Sequence, residues 1–261
     1  MVCGGKEPSC VEWWREVAMR CLSRAALETI GVRVITAYKR LPEVAGQNLE
    51  RVNIDYLLGA LLGLRIDYRH LSLAGDKLGL TSMSSIGIEI ISDEETIEEP
   101  YYMLDGKTIL VEKDLIREGA NIGRRNYTVS HEGCHHILKM LFPKDYGAQT
   151  KERSIHCYYR SNRGAMDWEE WQVETLAGII LLPGECVRRN MDKFGLGTQM
   201  RLLNRVFAPS EYKRFEDMAS FMGASKTALA IRMTQLGLLK RNDLIDPYAL
   251  VRVEKDEEER V

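Results

Sequence analysis

The sequence lacks the long apolar runs and the one-sided charge that mark several classes of protein. Its longest apolar runs span residues 56–64 and 176–183, well short of the ~20 residues that cross a bilayer, so we expect no membrane helix. Lys plus Arg number 36 and Asp plus Glu number 38, and the net charge of −2 gives no global attraction to nucleic acid. The first residues carry charges at Lys6, Glu7 and Arg15 without a continuous apolar stretch. We therefore expect no secretory signal peptide and a cytoplasmic location.

The sequence also lacks closely spaced cysteine pairs. A zinc ribbon and a thioredoxin-type redox site both need Cys-x-x-Cys, and neither is written here. Reduced thiols are the expected state. The 261 residues, 45% of them hydrophobic, can bury a core as one large domain or two small ones. The six cysteines are Cys3, Cys10, Cys21, Cys134, Cys157 and Cys186.

One chemical motif is present, His-Glu-x-x-His at residues 131–135, within the run Tyr-Thr-Val-Ser-His-Glu-Gly-Cys-His-His-Ile-Leu. Residues four apart on a helix lie about 40° apart around its axis, so His131 and His135 can direct their imidazoles to one point. A tetrahedral zinc ion requires that arrangement. Glu132 would then flank the metal as the base that takes a proton from its water. The motif therefore predicts a catalytic zinc site.

The alternative is an amphipathic helix whose histidines are ordinary residues of its polar face. Four of the five histidines fall between residues 131 and 156, which favours a site over scatter. Cys134 lies one position away from the direction of the two ligands, which favours core packing over a thiolate ligand. His136 points about 100° away from the second ligand, which favours a structural or surface role.

Periodicity elsewhere predicts a mixture of helices and short strands. Apolar residues at spacings of three and four predict helices at residues 11–41 and 52–64. A small antiparallel sheet is the natural assembly of the strands, and the expected fold class is α+β. Alternation and a tight Asp-Gly turn predict strands at residues 64–68, 86–91, 101–103 and 108–111.

Two loops have more than one interpretation. The acidic run at residues 93–99 is most simply solvated, although at a sheet edge beside a cleft it would meet a basic peptide. The loop after the motif helix, residues 143–160, is long enough to form a lid or a wall. On it, His156, Tyr158 and Tyr159 are candidates to stabilise the oxyanion of a tetrahedral intermediate or to support a ligand.

A second helix is predicted from Asp167, as N-cap, to residue 182, before Pro-Gly. Catalytic zinc sites usually add a third protein ligand, and the carboxylates of this helix are the candidates. Helical spacing places Glu169 and Glu170 at the margins of the apolar face and Glu174 further round. Spacing does not separate the first two, and the alternative is that all three are surface carboxylates.

Two runs of sequence resemble the ImmA/IrrE family of metallopeptidases. The first, Arg-Asn-Tyr-Thr-Val-Ser-His-Glu-Gly-Cys-His at residues 125–135, has the aromatic-Thr pair that precedes the family's His-Glu-x-x-His helix. The second, Glu-Trp-Gln-Val-Glu-Thr-Leu-Ala with a following Leu-Leu-Pro at residues 170–183, is similar to the family's Glu-x-x-Ala-Asn helix ending in Leu-Leu-Met-Pro. The resemblance covers residues 48–240. It implies that Glu170 is the third ligand of a gluzincin-like site.

The sequence departs from the family pattern at three positions. Cys134 stands where Gly is common, Glu174 where Asn is usual, and Val173 where Ala is usual. None of these changes removes a ligand or the base. Glu174 adds a carboxylate near the metal, which would either hold a ligand imidazole or turn to solvent.

The resemblance implies a zinc-dependent endopeptidase with a narrow protein substrate. Members of the family typically cut a regulatory protein, often a helix-turn-helix transcriptional repressor that controls a mobile element or a stress response. The rival interpretation is a DNA- or protein-binding regulator whose metal site is structural or vestigial. The intact Glu132 argues against this rival, because a structural site has no use for a base.

The last third of the chain is predicted to be helical, at residues 198–207, 210–222 and 225–235, and the last two helices have the form of a helix-turn-helix. Lys226 and Arg232 would contact DNA or a protein partner. Because the basic patch is modest, packing or partner recognition is favoured over DNA.

The expected organisation is a mostly helical, zincin-like metallopeptidase domain with a small antiparallel sheet, followed by a helical region. The oligomeric state is left open. The expected segments are an N-terminal helical arm (1–45), the metallopeptidase domain (46–185), a helix-turn-helix-like region (186–250) and an acidic tail (251–261).

Overall fold

The structure is a computed structural model, and it describes residues 21–90, 101–146, 155–159 and 168–251. Within these ranges the chain is α+β, with seven α-helices, eight strands and short 3-10 turns at Lys113–Ile116 and Ala249–Val251. The helices are α1 (Arg24–Tyr38), α2 (Ile54–Leu62), α3 (Ile122–Leu141), α4 (Trp168–Leu181), α5 (Gly184–Lys193), α6 (Pro209–Phe221) and α7 (Lys226–Gln235).

The strands form three small sheets. The largest has the order β1-β5-β2-β6, with β1 parallel to β5, and β2 antiparallel to both β5 and β6. Strands β3 and β4 form an antiparallel hairpin, and β7 and β8 form a parallel pair. The strands are β1 (Arg65–Arg69), β2 (Lys77–Ser82), β3 (Ser85–Glu89), β4 (Tyr101–Asp105), β5 (Thr108–Glu112), β6 (Ile155–Tyr159), β7 (Met200–Leu203) and β8 (Leu239–Asn242).

The four-stranded sheet lies between two hydrophobic clusters. Successive residues of a regular strand point to opposite faces, and the register of β2 shifts between Lys77 and Gly79, so Leu78 and Leu80 lie on different faces although they are two residues apart. Leu80 and Leu110 point to a small cluster that the β3–β4 hairpin closes with Ile88. Leu78 and Val111 point to the other face, where the helices form the main core.

Helix α3 carries the His-Glu-x-x-His motif across the face of the sheet that looks into the main core. It begins at Asn121, whose side chain accepts a hydrogen bond from the Arg124 backbone N–H at 3.2 Å. Gly79 of β2 lies directly under the helix. A Cβ atom at this position would lie 2.6 Å from Thr128 Cγ2 and 2.7 Å from Glu132 Oε1. The glycine therefore lets α3 approach the sheet closely enough to press Glu132 against it.

Helix α4 packs along α3, and two side chains fix their relative position. The Tyr127 hydroxyl donates to the Glu174 carbonyl at 3.1 Å, and the Ser130 hydroxyl donates to the Ala177 carbonyl at 3.1 Å. Each such bond contributes about 1 kcal/mol. Since both acceptors lie on α4, the bonds hold the carboxylates of its first turns opposite the motif.

The C-terminal helices belong to the main core as well. Val187 of α5, Phe215 of α6 and Met233 of α7 are buried in the same cluster as Leu138 of α3. The expected boundary at residue 185 falls inside this cluster.

Several expected elements are present. Helices α2, α6 and α7 lie at the predicted places, and strands β1, β3, β4 and β5 overlap the predicted strands. The predicted helix at residues 198–207 is wrong, because Met200–Leu203 is strand β7 and pairs with β8. The expected small antiparallel sheet is present as the β3–β4 hairpin, whereas the largest sheet is mixed, because β1 and β5 run parallel. Strands β2 and β6 were not predicted.

Other expectations lie outside the described residues. They concern the arm before residue 21, the acidic run at 93–99, the N-cap Asp167 and the acidic tail from residue 252. Across the part of the chain that the structure describes, no helix combines the length and the apolar character needed to cross a membrane.

Candidate metal centre

Three side chains from α3 and α4 come together, and they are His131, His135 and Glu170. Their candidate ligand atoms all lie within 4.8 Å of one another. Nε2 of His131 lies 3.2 Å from one carboxylate oxygen of Glu170, and Nε2 of His135 lies 3.5 Å from the other. The two imidazoles are 0% and 1% exposed, whereas the carboxylate side chain is 26% exposed. The group is therefore buried on the α3 side and reaches the surface through Glu170.

Neither imidazole has a hydrogen-bond partner among the described residues, at either of its ring nitrogens. The 3.2 Å separation between His131 and Glu170 is short enough for a hydrogen bond, but the direction of approach is not that of one. Leaving a buried polar group without a partner costs about 1–3 kcal/mol. Four such nitrogens side by side are poorly explained as structural histidines.

The protonation state of His135 suits a metal ligand. Burial, and then the neighbouring His156 and His131, lowers the pKa of His135 well below its ordinary value of 6.5. Its ring is therefore neutral at pH 7 and has no proton to lose before it binds a metal.

The spacing of the three side chains fits a tetrahedral ion. Around zinc, with bonds of about 2.0–2.2 Å, neighbouring ligand atoms lie roughly 3.3–3.6 Å apart. The two nitrogen-to-oxygen distances, 3.2 Å to one oxygen of Glu170 and 3.5 Å to the other, are close to that spacing. Two imidazoles and a carboxylate leave one of four positions open. These residues could therefore hold a metal ion.

Glu132 is buried beside this group. Its side chain is 0% exposed, and neither oxygen has a hydrogen-bond partner among the residues described. Burial first, and then the Glu170 carboxylate, raises the pKa of Glu132 well above its ordinary value, while the Tyr158 backbone N–H, which lies near the carboxyl without the geometry of a hydrogen bond, lowers it only in part. A partnerless buried carboxyl next to candidate metal ligands is suited to carrying a proton.

Glu169 and His156 form a second group around His135. One Glu169 oxygen lies 3.9 Å from Nδ1 of His135 and 3.9 Å from Nδ1 of His156. The two imidazoles stack with their centroids 3.9 Å apart. Their candidate ligand atoms also lie within 4.8 Å of one another, but these nitrogen-to-oxygen distances of 3.9 Å are longer than the 3.2 Å and 3.5 Å of the Nε2 group. The structure thus separates the two carboxylates that helical spacing left together, because Glu170 faces both Nε2 atoms and Glu169 faces Nδ1.

Strand β6 forms one wall of the centre. His156 and Tyr158 alternate with Cys157 and Tyr159, so the first two face α3 and the last two face away. The Tyr158 ring lies 4.3 Å from the His131 ring, centroid to centroid. Burial raises the pKa of Tyr158 to about 12, so its hydroxyl keeps its proton. Tyr159 is 37% exposed and follows Tyr158 directly on the strand, so it lies on the face away from α3, and its role at the centre stays a prediction without structural support.

The remaining candidates of the two motif helices take different positions. Cys134 is 0% exposed in the main core, and burial raises the pKa of its thiol far above the ordinary value. Nε2 of His136 lies 2.8 Å from the Thr81 hydroxyl of β2, which ties α3 to the sheet. Glu174 is half-buried near His131, and burial raises the pKa of its carboxyl while His131 lowers it.

Lys226 and Arg232 lie apart from the centre on α7. Arg232 is 2% exposed, forms an ion pair with Glu28 of α1 and donates to the Leu182 carbonyl at 3.0 Å. A side chain so committed is structural, and the expectation that it contacts DNA or a partner is wrong for this conformation. Lys226 pairs with Glu216 at 2.8 Å and stays partly exposed. The exposed residues of α7 are Thr227, Ile231 and Thr234, none of them basic.

The sequence was compared with known families and with characterised proteins. No family model matches the chain, and no curated protein matches it.

Proposed function

We propose that this protein is a zinc-dependent endopeptidase of the zincin type, with His131, His135 and Glu170 as the metal ligands. One observation carries the proposal. Two buried imidazoles without hydrogen-bond partners among the described residues direct Nε2 at the two oxygens of one carboxylate, at the spacing of ligands around zinc. Two nitrogens, one carboxylate oxygen and an open position are typical of catalytic zinc sites.

Glu132 supplies the proton transfer in this proposal. A zinc ion bound here supplies Lewis acidity, which polarises a carbonyl and makes a water molecule more acidic. Glu132 accepts one proton from the attacking water and delivers it to the nitrogen of the leaving amine as the C–N bond breaks. Its burial against Gly79 holds it in place and keeps bulk water away from it.

Tyr158 is the donor that we assign to the developing oxyanion. Its ring packs against the His131 ring, and its hydroxyl is protonated at neutral pH, since burial raises its pKa further, to about 12. A hydroxyl that stays protonated at neutral pH can donate to negative charge on oxygen. His156 stacks on the His135 ring and lies near Glu169. We therefore assign His156 to positioning the ligand His135.

A regulatory protein, such as a helix-turn-helix transcriptional repressor of a mobile element or a stress response, is the substrate that the ImmA/IrrE resemblance suggests. The resemblance rests on residues 125–135 and 170–183 alone. The alternative is a regulator whose metal site is structural. That alternative leaves Glu132 without a purpose, because a structural site does not need a buried base without a partner.

Elemental analysis and an assay of peptide hydrolysis test this proposal together. We expect about one zinc per chain, and we expect the metal to be lost from His131→Ala, His135→Ala and Glu170→Ala. Glu169→Ala is the matched control, because its carboxylate is adjacent in sequence but faces Nδ1, and it should still fill with zinc at saturating metal.

Glu132→Gln separates metal binding from catalysis. It should keep the metal and lose about 10²–10⁴-fold in the rate of hydrolysis, because it preserves the shape of the side chain and removes the base. Mass spectrometry of a peptide mixture detects the new amino termini. Full zinc in the Glu170 variant, or hydrolysis by Glu132→Gln at the wild-type rate, would contradict the assignment.

A further inference from the structure

A cavity of about 540 Å³ adjoins the metal centre on the side of α7. Tyr158 and Glu174, which flank His131, are also part of its lining. The cavity therefore begins one side chain away from a candidate metal ligand. Its volume is in the range of natural ligand pockets, roughly 300–1,000 Å³. Metal binding, proton transfer and oxyanion stabilisation, the roles assigned to the centre, do not require this cavity.

The lining of the cavity is rich in positive charge. Four cationic side chains from the described part of the chain line it, and two of them are neutralised, since Lys226 pairs with Glu216 and Arg232 with Glu28. The other two, Arg24 and Arg124, form no ion pair with any residue in the described ranges. Glu174 is the single carboxylate among the described residues that line it. The unpaired charge is thus two cations against one anion.

Two helix N-termini meet at the same cavity. The N-cap residues of α3 and α7, Asn121 and Ser225, both line it. The two ends are held together because Gly123 has no side chain, and a Cβ atom there would lie 2.2 Å from the Ala224 carbonyl carbon. The N-terminal ends of helices carry partial positive charge. They add to the field of the unpaired arginines and favour an anionic occupant.

The remaining walls are aromatic and apolar. Trp171 and Tyr127 line the cavity together with the Ile231 side chain. A small inorganic anion would leave these walls without contacts. A side chain with an apolar stem and a carboxylate end would contact both the apolar walls and the arginines. A residue of an extended polypeptide spans about 3.3–3.6 Å, so a cavity beside His131 accepts a residue close to the bond being cut.

We propose that this cavity is the substrate subsite that selects an acidic side chain, Glu or Asp, close to the scissile bond. The inference rests on the proposed peptidase function and names what that function recognises. Arg124 and Arg24 bind the carboxylate, and Trp171 and Ile231 contact its stem. The substrate is therefore a polypeptide with an acidic residue within a few residues of the cleaved bond.

The test is the sequence preference of the zinc-loaded full-length protein toward a peptide library that varies each position around the cleaved bond. We expect one position at which Glu is preferred over Gln, by about ten- to a hundredfold in kcat/KM, because hydrogen bonds to charged groups are worth that factor. Arg124→Gln should reduce this Glu-to-Gln ratio toward one through KM, and Arg24→Gln should reduce it in part. Arg33→Gln, an exposed arginine of α1 outside the cavity, should leave the ratio unchanged.

Binding measured without cleavage keeps the subsite and the peptidase function separable. Calorimetry on zinc-loaded Glu132→Gln should show tighter binding of the Glu peptide than of the Gln peptide, and Arg124→Gln in that background should remove the difference. Melting temperature and zinc content identify any variant that fails to fold. Arg124→Lys, which keeps the positive charge, should recover part of the preference for the Glu peptide over the Gln peptide.

Each failure has its own signature. Cleavage without an acidic preference, or a preference that survives both arginine variants, overturns the subsite and leaves the peptidase intact. A zinc-loaded protein that cleaves none of the peptides overturns the peptidase function. Binding of succinate that depends on Arg124, in the absence of any peptide preference, would assign the cavity to a free dicarboxylate and overturn the subsite.

Discussion

The metal centre and the α6–α7 pair both bury polar side chains, but only in the α6–α7 pair do these side chains have hydrogen-bond partners within the described residues. In α7, Arg232 is 2% exposed and is bonded to Glu28 and to the Leu182 carbonyl. In the metal centre, His131 is 0% exposed and neither nitrogen is bonded to a described residue. A buried polar group with partners holds the fold together, whereas one without partners destabilises it. The second kind is retained where a ligand completes the bonding.

The same contrast separates two buried carboxylates of the sheet region. Glu112, at the end of β5, is 2% exposed, lies 2.8 Å from Nδ1 of His70 and accepts the Leu71 N–H at 2.8 Å. The candidate ligand atoms of Glu112, His70 and Asp114 also lie within 4.8 Å of one another. Glu132 is equally buried and has no such partners among the described residues. Bonding within the protein explains the buried Glu112 carboxylate without a ligand.

The largest expected effect is that of zinc on stability. A ligand that binds only the folded state at a thousandfold excess over its Kd adds about 4 kcal/mol. For a protein of this size that corresponds to a melting temperature raised by roughly 8–16 °C. Thermal unfolding after chelation and after addition of zinc measures the shift. His131→Ala should abolish it and His70→Ala should keep it, and loss of the shift in the His70 variant would break the contrast between the two groups.

The next effect is the loss of a partnered buried charge. Arg232→Met leaves Glu28 unpaired, and breaking a buried ion pair costs about 3–5 kcal/mol. Because the Glu28 side chain is 33% exposed, we expect a smaller loss of about 2–3 kcal/mol. Denaturant unfolding measures it.

Two further variants and one readout check that assignment. Arg33→Met makes the same substitution at an exposed arginine, and it should lower the free energy of unfolding by less than about 0.5 kcal/mol. Adding Glu28→Met to the Arg232 variant should restore part of the stability. Zinc content should stay at the wild-type level, and its loss would show that α7 supports the metal centre directly.

Much of the metal centre could be predicted from the sequence, because its chemistry depends on local spacing. His131, Glu132 and His135 lie within one helix, and a helix fixes their relative directions without knowledge of the fold. The choice between Glu169 and Glu170 could not be made from periodicity, since both lie at the margin of one helical face. It depends on how α4 rotates against α3, which the Tyr127 and Ser130 hydrogen bonds set.

The parts that could not be predicted depend on contacts between distant segments. Strand β7 is too short to show alternation, and it is a strand only because β8, thirty-nine residues later, pairs with it (Met200 with Leu239). Strand β6, Ile155–Tyr159, shows no regular alternation of polar and apolar residues, and it is a strand because it pairs with β2, more than seventy residues earlier (Ser82 with Ile155). Arg232 resembled a surface cation, and its burial follows from Glu28, more than two hundred residues away.

The smallest expected effect concerns the buried Glu132 in protein stripped of its metal. Burial, and then the Glu170 carboxylate, raises the pKa of Glu132 well above its ordinary 4.5. A carboxyl raised in this way contributes stability that is fully present below its unfolded pKa and is lost as pH rises through its folded pKa. The metal-free wild type should therefore lose stability above pH 4.5 through this group, whereas Glu132→Gln should not. We expect the variant to gain on the wild type between pH 5 and pH 8, with each 1 kcal/mol appearing as roughly 2–4 °C in melting temperature. Glu43→Gln, at an exposed position, should show no such gain. An equal melting temperature for the wild type and Glu132→Gln at both pH values would mean that the Glu132 carboxylate finds partners inside the metal-free protein, and the contrast with Glu112 would fail.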